Sequence, residues 1–170
     1  MLFRSVLLVL NSMIFMAPVG PWMSGEGALR FGLNTAAVSA VVALGCFVAS
    51  YTQLPQYLIG EAFFELLFWG GGHVLQFTYT LFMLVAWLWL SSASGIELPI
   101  TPRVVLLILF VGLACVFVSP IIYLAYPVTS IEHVELFTWL MRWGGSLATV
   151  PLGLAILIGL ARAKIGRAHV

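Results

Sequence analysis

The chain has 170 residues, 62% of them hydrophobic and 8% charged, with seven Lys or Arg, six Glu and no Asp; its mean hydropathy is +1.13. An average soluble domain is about 25% charged, so these charges cannot clothe a water-soluble globule, and lipid must be the solvent for much of the surface. A net charge of +1 with no basic run excludes the electrostatic footprint of a nucleic-acid binder.

Apolar runs at 2–19, 33–52, 62–90, 102–126 and 130–160 are each long enough to cross about 30 Å of hydrocarbon. They predict an all-α, polytopic transmembrane bundle of five spanning helices over residues 1–163. The connections at 21–34, 53–61, 91–101 and 127–129 carry Gly or Pro and read as turns. Thr101 before Pro102 predicts a hydroxyl cap with proline at the first helical position, and Thr129 with Glu132 has the spacing of a capping box. Met1 is read as an internal methionine, because Asn11 interrupts the first run and Ala17 is followed by Pro18, which leaves no signal-peptide cleavage site. Residues 164–170 resemble one translated frame of a short-read sequencing adapter and are set aside, so the expectation is a chain truncated after about Ala163.

Arg30, Arg103, Arg162 and Lys164 flank the first loop, the third loop and the end of the last span, all on one side of the predicted bundle. That side is predicted to be cytoplasmic. Glu61, Glu132 and Glu135 fall on the other side, and Arg4 is the contrary charge. Trp87, Trp89, Tyr51 and Tyr57 read as interface belt, and Cys46 and Cys115 as small packing residues inside apolar runs.

The third span is the informative one. Glu65, Trp69, Gly72, His73, Gln76 and Thr80 follow three- and four-residue steps and share one helical face. A charge at mid-membrane costs about 2.5–3.5 kcal/mol on insertion scales, so such a stripe is expected to face protein, water or a ligand. The triplet Gly70-Gly71-Gly72 gives up about 1 kcal/mol of helix propensity per residue; its return is close approach of a neighbouring helix or of a flat ligand. For His73 two readings stand: a neutral imidazole bonded to a carbonyl or hydroxyl of the next helix, or a metal or proton role. In the fifth span Glu135, Thr138, Arg142, Gly145, Ser146 and Thr149 are predicted to share a second polar face, with Arg142 paired to Glu135 or Glu65, snorkelling outward, or beside an anionic cofactor group. Ser119-Pro120 predicts a kink in the fourth span, its lost backbone bond made good by hydroxyls or neighbouring helices. His133 reads as an interfacial histidine.

Leu67-Phe68-Trp69 followed by Gly72-His73 resembles the L-F-W-x-x-G-H motif of the sixth helix of haem-copper oxidase catalytic subunits, the cytochrome c oxidase subunit I family. Ser119-Pro120 and Ala148-Thr149-Val150-Pro151 resemble the proline-containing seventh and eighth helices at compatible spacing. The resemblance implies that the five spans are the fourth to eighth of a twelve-helix bundle in a prokaryotic inner membrane. It also implies that His73 is a copper ligand, with Trp69 and Gly72 beside the cofactor. Glu65, Gln76, Thr80, Arg142, Ser146 and Thr149 become polar or proton-transfer positions, the haem ligands lying on other helices. The implied function is respiratory reduction of oxygen or another diatomic gas with proton uptake, alongside other respiratory-chain subunits and an electron donor. The sequence departs from the family where its histidine pair would stand, at Ile121-Ile122-Tyr123-Leu124-Ala125; Phe77 and Ala155 replace a tyrosine and a lysine found in some members. One imidazole cannot make a three-nitrogen copper site. The alternatives are therefore a relative that kept the scaffold but lost copper, binding haem or sensing gas, and an unrelated transporter whose polar stripes line a solute path.

Overall fold

A computed structural model describes residues 25–167. The helices are α1 (Gly25–Gln53), α2 (Glu61–Ala93), α3 (Pro102–Val116), α4 (Val118–Ala125), α5 (Ile131–Trp139) and α6 (Gly145–Arg167), with a π-helical turn at Leu140–Gly144 joining the last two. Four stretches are long and apolar enough to cross a membrane: Gly27–Gln53, Glu61–Ala93, Pro102–Ala125 and Ile131–Ala163. They match the second to fifth predicted runs; the run at 2–19 lies outside the described residues, as do residues 168–170. The 33 residues of α2 extend about 50 Å at 1.5 Å per residue, so this helix must tilt or protrude from the hydrocarbon.

Several local expectations are corrected. The glycine-containing stretch read as a loop up to residue 34 is helical from Gly25. Gly32 serves packing there, since a Cβ on it would strike the Val85 side chain of α2. The true turns are marked by Gly60 at φ 68° and Gly95 at φ 66°, before and after α2, a left-handed backbone that glycine adopts without strain. Thr101 is the N-cap of α3 but its hydroxyl makes no cap bond. The cap of α5 is Ser130, not Thr129, with the Ser130 Oγ accepting from the His133 N–H at 3.2 Å. The predicted kink falls at Phe117, one turn before Pro120. Proline lacks the N–H that would reach the Val116 carbonyl, and its ring crowds that carbonyl, so the chain tightens and Phe117 N–H donates to Ala114 O at 3.2 Å. Ser119 does not compensate: its hydroxyl is buried without a hydrogen-bond partner among the described residues.

The core falls into two clusters at opposite ends of the bundle. One is aliphatic, formed by Ala28, Ala36, Leu81, Leu84, Leu88, Val105, Leu109, Ala148, Leu152 and Ile156. The other mixes aliphatic and aromatic groups: Phe77, Tyr123 and Phe137 pack with Ala43, Cys46, Leu54, Val74, Val116, Ile122 and Val128. Small residues bring α1 against α2, and hydroxyls stitch the seam: Thr78 Oγ1 donates to Ser39 Oγ at 3.0 Å, and Ser39 Oγ to the Val74 carbonyl at 3.4 Å.

Candidate functional site

The buried face of α2 comprises Gly70, Gly71, Val74, Phe77, Thr78, Leu81, Leu84, Val85 and Leu88. The predicted polar stripe lies on the other side: Glu65 and Gln76 are exposed, and Trp69, Gly72, His73 and Thr80 are half-buried. The stripe thus runs along the margin of the core, with Glu65 and Gln76 exposed and Trp69 and His73 against α5. The glycine triplet divides along this boundary. A Cβ on Gly70 would collide with the Tyr123 hydroxyl, and one on Gly71 with the Phe47 ring, whereas Gly72 has nothing within 4 Å. Two glycines therefore serve helix packing, and the third leaves an open notch beside His73.

His73 is held by its own helix. Its Nδ1 lies 2.7 Å from the Trp69 carbonyl; a carbonyl only accepts, so Nδ1 carries the proton and Nε2 is left as the basic nitrogen. The bond to a neighbouring helix, one of the two readings of the sequence, is replaced by this one within α2. The Trp69 ring lies 5.0 Å from the imidazole, centroid to centroid, and is itself fixed by an indole N–H donated to the Val134 carbonyl of α5 at 3.2 Å. Trp69, Gly72 and His73 thus form one pre-set group whose free Nε2 can take a metal or a proton.

The second predicted stripe does not survive as one face. The π turn inserts an extra residue into the helical register, so Glu135, Thr138, Arg142 and Ser146 are exposed while Gly145 is buried and Thr149 half-buried. Arg142 pairs with neither Glu135 nor Glu65; among the described residues all three are exposed and unpaired. Thr149 and Ser146 turn their hydroxyls back on their own helix, to Gly145 O at 2.7 Å and Arg142 O at 2.6 Å.

His133 is the residue that the sequence concealed. Read as interfacial, it is fully buried, because it lies one turn before Phe137 on the same face of α5, and Tyr123 covers that face. Its ring sits 4.7 Å from Tyr123 and 4.9 Å from Phe137. Among the described residues neither ring nitrogen has a hydrogen-bond partner. Tyr123 in turn shares a 2.7 Å hydrogen bond with Ser50 of α1. His73 reaches this cluster only through Phe137, at 6.4 Å. The described residues contain no group of three or more His, Cys, Asp or Glu able to hold a metal ion.

No family model and no solved structure matches the chain. It is similar to the "Uncharacterized protein RP382" of Rickettsia prowazekii (strain Madrid E), with 25% identity over 134 residues; the match takes in 76% of this chain and 26% of that protein. The chain thus spans about a quarter of the length of the curated relative it matches.

Proposed function

We propose that this chain is a membrane-embedded part of a subunit related to the haem-copper oxidase catalytic subunits, and that Trp69, Gly72 and His73 form one wall of its cofactor cavity. The observation that carries the reading is the imidazole of His73. It is anchored through Nδ1 with Nε2 free, next to a glycine that leaves space, at the half-buried edge of the junction between α2 and α5. In this reading the run at 2–19 is a fifth span, and the spans correspond to the fourth to eighth of twelve. The membrane is a prokaryotic inner membrane. Arg30, Arg103 and Arg162 gather at one end, which supports a cytoplasmic position for the loops there.

The chemistry is reduction of oxygen or another diatomic gas, with proton uptake, electrons arriving from a donor and from other respiratory-chain subunits. A bound haem would supply the redox centre; the described residues contribute a wall and a single available imidazole. A three-imidazole copper site does not fit them. Ile121 and Leu124 are exposed and Ile122 and Tyr123 are packed in the core where the family's histidine pair would stand, and His133 is sealed inside the bundle. This favours, as a second reading, a relative that binds haem or senses gas without copper.

The test is the haem and copper content of the purified membrane protein that contains this chain, together with its oxygen consumption. Haem with copper and turnover supports the oxidase; haem without copper supports the second reading. Absence of both rejects the family assignment and leaves the transport reading of the polar stripe.

A further inference from the structure

Arg142 is the middle residue of the π turn Leu140–Gly144, inside the last crossing, Ile131–Ala163. Its depth follows from what packs beside the turn. A Cβ on Gly144 would lie 3.1 Å from Cys115 of α3 and 3.3 Å from Phe77 of α2. Cys115 stands near the middle of the crossing Pro102–Ala125, about 20 Å from its first residue and about 15 Å from its last at 1.5 Å per residue. Arg142 is therefore about 12 Å inside the Ala125 end, farther than its own side chain reaches. It is exposed on the outside of the bundle, and among the described residues its guanidinium is unpaired. Trp139 and Trp143, which flank it in sequence, are exposed as well and stack with ring centroids 6.1 Å apart. Inside a membrane a charge at such depth is held by an opposite charge or by water and does not face acyl chains, and π turns recur at functional sites.

We propose that the Arg142 face is covered by a further membrane-spanning helix of the same protein, which carries an Asp or Glu at mid-membrane and pairs it with this guanidinium. The 170 residues themselves hold no such group. Of their six Glu, with no Asp, Glu26 and Glu97 belong by position to the end of the bundle where Arg162 lies, and Glu61, Glu65, Glu132 and Glu135 to the other. Glu135, the nearest along the helix, is about 10 Å away in height. A second copy in the same orientation would set arginine against arginine, and a phospholipid carries its anionic group at the headgroup, above this depth. A carboxylate on a neighbouring helix meets the charge, and the planar guanidinium can hold it by two parallel hydrogen bonds. The chain spans about a quarter of the length of its curated relative, so a protein of that length has room for such a helix. The inference is separate from the cofactor reading, and a protein without haem leaves it standing.

The test is denaturant-induced unfolding, in detergent, of the full-length protein that contains this chain. Arg142→Leu is measured alone and then combined, one at a time, with neutralisation of each acidic residue in the protein's other spans, Asp to Asn or Glu to Gln. Arg142→Leu should lower the folded-to-unfolded ratio about a hundredfold, because it strands a buried carboxylate. One neutralisation should restore most of that loss, which identifies the partner residue. If Arg142→Leu alone does not accumulate, recovery of folded protein by one neutralisation supports the proposal equally, and recovery by none overturns it. An Arg142→Leu protein as stable as the wild type, or more stable, overturns it as well, since the arginine then meets lipid or water. A loss that no neutralisation within the protein relieves also overturns it; an accompanying change in a haem spectrum, or release of a separate subunit, would then assign the anion to a cofactor or to another polypeptide.

Discussion

At the end of the bundle where α1 begins, leucine, valine, isoleucine and alanine fill the core, and the buried hydroxyls of Thr35 and Ser91 donate to carbonyls of their own helices. At the other end Tyr123, Phe137, Trp69 and two histidines crowd the junction of α2, α4 and α5, and side chains bond across helices. In lipid an aliphatic seam gains little from leaving solvent, because the surroundings are as apolar as itself; it holds by close packing. The aromatic end uses directed contacts: Trp69 to Val134, Tyr123 to Ser50 and His73 to its own backbone. Directed contacts fix side-chain orientation, and orientation is what a site needs. The difference teaches that the scaffold and the candidate site are separable, and each can be disturbed without the other.

The largest effect is expected in the aliphatic half. Leu84 is fully buried, and Leu84→Ala should cost about 2–5 kcal/mol through lost packing and the cavity left behind. Denaturant-induced unfolding in detergent measures it, and any bound cofactor should keep its spectrum. Next comes the contrast between adjacent glycines. Gly71→Val must displace Phe47 and should cost about 1–3 kcal/mol, while Gly72→Val, pointing into open space, should change stability by less than about 0.5 kcal/mol. Equal costs at the two positions would mean that the face beside His73 is packed after all. The smallest effect has the opposite sign. His133→Phe removes two buried nitrogens that have no hydrogen-bond partner, and should leave stability unchanged or raise it by about 1 kcal/mol; a marked loss would show that the imidazole has a polar partner in the folded protein.

The sequence made the gross architecture legible, because an apolar run of spanning length has few alternatives in a bilayer. The stripe residues of α2 keep a common register because the helix is unbroken over 33 residues, but their spacing carried no sign that Trp69 and His73 lie against α5. The face of the last span was lost because five residues, Leu140–Gly144, adopt a π turn. Apolar spacing carries no sign of that turn, and everything beyond it rotates. Gly32 and Gly71 illustrate a second limit: a glycine that marks a turn and one that admits a neighbouring helix look alike until the neighbour is known. His133 illustrates a third: it shares a helical face with Phe137, but only the packing of Tyr123 from another helix buries it, and a single segment's spacing carries no sign of that partner.

The central claim is that the outward face of α2 presents His73 to a cofactor. The most direct measurement is the visible absorption spectrum and metal content of the membrane protein containing this chain, compared with its His73→Ala variant. The account predicts an altered haem spectrum or a lost metal with unfolding behaviour unchanged, because the imidazole bonds only to its own helix. An identical spectrum and identical metal content in the variant would contradict it.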